Sequence, residues 1–163
     1  MGTRTTRRRI RRGGIGFVAL VAAVALVPAG LAGAGHVTKA ATVQTRNIKG
    51  LGTVLVNSAG RTLYMFVPDK RKKVTCKGSC AAVWPPLKLK TGKKATAGGA
   101  AKKGLLGSDP NPSGGRVVTY SRWPLYTYVA DSKPGQATGQ ALNLNGGVWY
   151  VLSPSGKVIK KKP

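Results

Sequence analysis

Two regimes of hydrophobic patterning divide the chain. Residues 13–35 form one uncharged stretch whose apolar heart runs from Ile15 to Val27 and is broken by Pro28. Beyond residue 45 the apolar residues come instead in short runs, and no segment carries a convincing helical period. Thr53 to Val56 is one such run, in which Val54 and Val56 alternate with Leu55, and Asn57-Ser58-Ala59-Gly60 supplies a turn behind it. In the strand that should follow, Tyr64 and Phe66 share one face while Leu63, Met65 and Val67 take the other. Val117 to Tyr120 is a second run of this kind. Gly147 to Leu152 and Lys157 to Lys160 flank Ser153-Pro154-Ser155-Gly156 as a further hairpin. The pattern predicts an all-β fold, a two-repeat antiparallel sandwich or small barrel behind an N-terminal signal or transmembrane segment.

The repeat is visible in the residues themselves. Leu63-Tyr64-Met65-Phe66-Val67-Pro68-Asp69 returns 62 positions later as Leu125-Tyr126-Thr127-Tyr128-Val129-Ala130-Asp131. A Trp follows each copy, Trp84 and Trp149. Two copies are too few for a solenoid, so they read as the halves of one domain, about 50–88 and 116–158. The segment between them, about 88–104, is rich in Lys, Ala and Gly and reads as a low-complexity loop. Pro68 and Lys133-Pro134-Gly135 end the two motif strands, which puts Asp69 and Asp131 at strand ends, where a carboxylate can cap a turn.

Six arginines, Arg4, Arg7, Arg8, Arg9, Arg11 and Arg12, precede the apolar stretch, the order of a targeting segment. Residues 1–41 are therefore assigned to a signal peptide or an uncleaved signal anchor, and residues 42–163 to the folded domain. Small-residue patterns at Ala32-Gly33-Ala34 and Thr38-Lys39-Ala40 offer cleavage points, while the uncharged run is long enough to span a bilayer if it is never cut. In both cases the domain lies outside the cytoplasm, and it meets a membrane only through residues 13–35 if these are retained. The general and twin-arginine export routes both stay open. Thr6-Arg7-Arg8-Arg9-Ile10 is similar to a twin-arginine signal, but Arg11 stands where that signal prefers an apolar residue.

Charge removes several function classes. The 163 residues hold 28 Lys plus Arg against three Asp and no Glu, for a net charge of +25. Without Glu, and with one His at position 36 ahead of the folded domain, His-based zinc sites and Ser-His-Asp triads have no residues to build on. No cofactor or metal is implied. Setting aside the six leader arginines leaves 22 basic residues against three acids, or +19. They cluster at Lys70-Arg71-Lys72-Lys73, along Lys88 to Lys103, and at Lys160-Lys161-Lys162. Such clusters attract polyanions and release counterions on binding. The expected partner is an anionic cell-envelope polymer or a lipid head group, with Lys70, Arg71, Lys72 and Lys73 as contacts. No motif for specific nucleic-acid reading is present. The oligomeric state stays open.

Three further readings compete for the chemistry. Cys76 and Cys80, spaced Cys-Lys-Gly-Ser-Cys, are simplest as a structural disulfide in an oxidising compartment, with a redox module as the alternative. Asp69 and Asp131 could share a proton as a hydrolase pair, or serve as turn caps. Tyr64, Phe66, Tyr126, Tyr128, Trp84 and Trp149 could stack on sugars or bases, or form a core, with Trp123 expected to be the exposed aromatic. Non-catalytic binding by an exported envelope module is the expected function, with the hydrolase and redox readings as alternatives, and the sequence leaves the enzyme question open.

The two Tyr-x-aromatic-x-x-Asp motifs, Cys76-Lys-Gly-Ser-Cys80-Ala-Ala-Val-Trp84-Pro-Pro-Leu87, Leu105-Leu106-Gly107 and Trp149-Tyr150-Val-Leu-Ser-Pro-Ser-Gly156 together resemble a bacterial secreted-repeat family of lipoproteins. The resemblance covers about residues 50–158 and implies an exported, β-rich module without an established activity. The chain departs from that family in having no lipid-attachment Cys after the apolar run, and in having Ser121-Arg122-Trp123 where an Asn-Gly turn is expected.

Overall fold

Each motif strand is built to be buried on both faces, and that sets the architecture. The computed structural model describes residues 1–2, 42–70 and 73–162. The expected signal peptide or signal anchor, with its candidate membrane span at residues 13–35, falls outside the described residues, as do Arg71 and Lys72. The folded unit is mostly sheet, and every strand-to-strand ladder in it is antiparallel. Strands β1 (Val43–Ile48) and β2 (Gly52–Asn57) form a hairpin. Asn57 closes the next turn, its side-chain oxygen accepting from the amides of Ala59 and Arg61 at 3.0 Å each. The chain then returns along β2 through Leu63 into β3 (Tyr64–Phe66).

The remaining strands form two four-stranded sheets that do not close into a barrel. In one, β3 and β10 (Val158–Ile159) flank β9 (Gly147–Leu152), with β8 (Asn143–Leu144) paired to β9 as well. In the other, β4 (Lys88–Leu89) and β5 (Leu106–Pro110) flank β6 (Arg116–Tyr120), which also pairs with β7 (Trp123–Pro124). The β6–β7 turn departs from the usual chemistry of such hairpins. Ser121 and Arg122 both take positive φ, 49° and 68°, where Asn-Gly would do so at less steric cost.

The two halves meet at the motifs. Tyr64 donates its amide to the Tyr126 carbonyl at 2.8 Å, and Tyr126 returns the bond at 3.0 Å. On its other side β3 pairs with β9 of the second half, while residues 125–129 pair with residues 83–87 of the first. Alternation then distributes the side chains. Tyr64, Phe66, Tyr126, Trp84 and Trp149 fill one core, and Leu63, Met65, Leu125, Val118, Tyr120 and Leu152 fill the other. Aromatic rings thus serve as core, since burial of large rings contributes much of the stabilisation in a domain of this size.

Four local expectations are corrected. Val67 leaves the strand face and is 43 % exposed, because Pro68 turns the chain into a single 3-10 turn at Val67–Asp69. A short helix, α1 (Ser79–Val83), is present; five residues are too few to imprint a helical period on the sequence. Trp123 is half-buried and packs against the second core. The segment between the repeats is also held in place. Val43 donates to the Thr96 carbonyl and accepts from Gly98, Thr45 Oγ1 accepts from Ala100, and Lys102 donates to the Tyr120 hydroxyl. Its alanines and glycines let the backbone lie close against β1.

Candidate functional site

The two motif aspartates are internal. Asp69 is 0 % and Asp131 is 1 % exposed. A carboxylate so placed must find donors, and each finds the same set. Oδ1 of Asp69 accepts from the Thr75 amide at 2.8 Å and the Thr75 hydroxyl at 2.7 Å; Oδ1 of Asp131 accepts from the Thr138 amide at 2.9 Å and hydroxyl at 2.6 Å. The remaining oxygens cross between repeats. Tyr64 donates its hydroxyl to Oδ2 of Asp131, and Tyr126 donates to Oδ2 of Asp69, both at 2.6 Å. Each motif therefore completes the other rather than itself.

Electrostatics at the exchange follow from burial. Burial first, and then the neighbouring carboxylate, push the hydroxyls of Tyr64 and Tyr126 well above the ordinary tyrosine value. Burial also raises the Asp69 carboxyl, against the opposing pull of hydrogen bonds from Tyr126, Thr75 and the Cys76 amide. The aspartates are thus held apart in two hydrogen-bonded cages and closed to solvent.

Around this exchange the rings form a four-membered stack, Tyr128, Trp84, Trp149 and Phe66, with successive centroids 4.2, 3.9 and 4.1 Å apart. Tyr64 and Tyr126 meet the two tryptophans edge-on. Two glycines permit the packing. A methyl at Gly139 would stand 2.7 Å from the Trp84 ring, and one at Gly147 would collide with Pro68 and Phe66. The indole N–H groups are satisfied by Asn145 Oδ1 at 3.2 Å and the Leu144 carbonyl at 3.0 Å. Of the six rings only Tyr128 is half-buried; the rest are buried and leave no face free for sugars or bases.

Cys76 and Cys80 form a disulfide with their Cα atoms 5.3 Å apart, and both are buried beside the first core. The bridge ties the chain entering α1 to the segment that cages Asp69. Lys70 and Lys73 are exposed, and Lys70 ends the 3-10 turn in the left-handed region at φ 38°. Among the described residues no group of three or more His, Cys, Asp and Glu could hold a metal ion.

Sequence reasoning missed two features. Thr75 and Thr138 cage the aspartates, and a Thr six or seven residues after each Asp was a second shared position that could have been read. The other is a pair of clefts on either side of residues 88–97. One, of about 560 Å³, is lined by Lys88, Lys90, Lys93 and Lys94 with Thr42 and Thr96; the other, of about 500 Å³, by Lys93, Lys94, Ser108 and Arg116. A family model described as a secreted repeat of unknown function matches the chain twice, over residues 46–88 and 110–153. No curated protein and no solved structure matches it.

Proposed function

Because this chain belongs to the family of secreted repeats of unknown function, we propose that it works outside the cytoplasm as a non-catalytic module that binds an anionic polymer of the cell envelope. One observation carries the proposal. Two of the three acids in the chain are consumed inside the fold by tyrosine and threonine donors, so the surface keeps its lysines and arginines without matching carboxylates. The third, Asp109, is half-buried in β5 opposite Val117. A field of one sign concentrates polyanions at the surface and binds them by counterion release.

The competing chemistries have less support. A hydrolase pair needs carboxylates that reach substrate, and Asp69 and Asp131 are sealed. A redox pair needs an accessible sulfur, and Cys76 and Cys80 are 2 % and 9 % exposed. The test is retention of the protein on immobilised anionic polymers and on a neutral polysaccharide over a salt series. Retention by the anionic polymers alone, falling steeply with salt, is expected. Equal retention by the neutral polysaccharide, or none by any anionic polymer at about 0.05 M salt, where the screening length is still above about 10 Å, would overturn the proposal.

A further inference from the structure

Cationic side chains bind a polymer best when their backbone is already fixed, because less conformational entropy is then lost on association. The lysines of residues 88–94 meet that condition. Lys88 begins β4, which pairs with β6 through Val117 and Arg116. Further along, Thr96 and Gly98 are bonded to Val43 at 3.0 and 2.9 Å, and a turn between β4 and Thr96 is closed by the Lys93 amide on the Lys90 carbonyl at 3.0 Å. Leu87 and Leu89 pack against the second core while Lys88 and Lys90 are exposed, the alternation of a strand with one face buried. Side chains two apart on such a strand stand about 7 Å from one another. Lys93 and Lys94, beyond the turn, line both clefts, and Arg116 lies in the second, its guanidinium anchored on Ser108.

We infer that this lysine segment, rather than the Lys70 to Lys73 cluster, is the seat of the polymer, and that the polymer is an extended chain of polyol units joined by phosphodiesters. The inference rests on the binding proposal above and names its site and ligand class. Four lysine ammonium groups and one arginine give point charges for successive phosphates, and Ser58 places a hydroxyl in the first cleft to meet those of a polyol, while the hydroxyls of Thr42 and Thr96 bond one another and that of Ser108 holds Arg116. No aromatic side chain lines either cleft, so a single-stranded nucleic acid would find phosphate contacts there but no platform for its bases. A membrane surface is less well matched, because Val67, Val129 and Leu144, the large apolar residues exposed among the described residues of the folded unit, line neither cleft.

The test compares the full chain with K88Q/K90Q/K93Q/K94Q and with K70Q/R71Q/K72Q/K73Q, which loses the same charge elsewhere. Probes are poly(glycerol phosphate), poly-glutamate, oligo-thymidylate and vesicles of anionic phospholipid. The first variant should lose at least about tenfold in affinity for poly(glycerol phosphate) and flatten the log affinity against log salt slope by about 3, since each lost phosphate contact removes about 0.7. The second should change affinity less than about threefold. Equal losses in the two variants would overturn the site while leaving polyanion binding intact. Tighter binding of poly-glutamate, oligo-thymidylate or vesicles than of poly(glycerol phosphate) would overturn the ligand class. No binding of any probe by the unmodified chain would overturn the parent proposal as well.

Discussion

The two halves of the domain carry the same cage and fasten it differently. In the first, the chain leaving Thr75 is closed by the Cys76–Cys80 disulfide and passes through α1 to Trp84. In the second, no covalent link follows Thr138. Gln140, 6 % exposed, does the fastening with its side-chain amide: Oε1 accepts from the Val151 amide at 2.8 Å, and Nε2 donates to the carbonyls of Ile159 and Lys161 at 2.7 and 2.9 Å. The β8–β9 hairpin then delivers Trp149 to the stack. A two-fold arrangement of tyrosines, aspartates and tryptophans therefore constrains where each segment must end, and leaves free the means by which it gets there.

The cages test the symmetry most severely. Asp131→Ala should cost about 3 kcal/mol, because it strands the Tyr64 hydroxyl and both Thr138 donors in the interior. Asp69→Ala should match it within about 1 kcal/mol in chemical denaturation. A far smaller loss at one of the two would show that the halves are not energetically equivalent.

The fastenings should come next in size. Cys76→Ala with Cys80→Ala removes closure of a five-residue loop, worth about 2 kcal/mol on the chain-entropy account. Gln140→Ala loses three hydrogen bonds and leaves the buried Val151 amide without its acceptor, again about 2 kcal/mol. Thermal or urea unfolding of both variants, with and without reductant, separates the two. Reductant should lower the midpoint of the Gln140 variant and leave that of the cysteine variant unchanged.

Alkaline titration sharpens the comparison further. In the folded state both tyrosine hydroxyls are held above their ordinary value of 10.0, so this contribution to stability is complete below about pH 10 and declines as pH rises past it. The decline should be about 1.4 kcal/mol per pH unit for each tyrosine. Tyr64→Phe and Tyr126→Phe should each remove half of it, and the double variant nearly all. Contributions from every other group are common to the four proteins and cancel in the difference. A double variant with the slope of the unmodified chain would show that the hydroxyls are not the source.

Reading the chain alone reached a good part of this. The doubled motif, the period of two that sends Tyr64 and Leu63 to opposite faces, the Asn57 turn and the close cysteines are local features, and strand geometry converts them directly into structure. The exchange between copies was only half legible. Tyr64 and Asp69 are five residues apart, a span of about 16 Å along an extended chain, which separates them once the strand is granted. The same types at Tyr126 and Asp131 then offer the partner. Nothing local announced that Gln140 would replace a disulfide, since a glutamine amide can bond anywhere it is brought.

What the sequence by itself determined was therefore the inventory: two equivalent strands, two carboxylates at matching places and a surplus of cations. Tertiary structure alone decided the assignments. It placed the carboxylates inside, bound each to the opposite repeat, and laid the lysine-rich connection along β1 and β6. The reason is physical. Backbone periodicity is set by neighbours two residues apart, whereas the tyrosine–aspartate pairings join residues 57 and 67 positions apart and form only when both halves have closed around the same core.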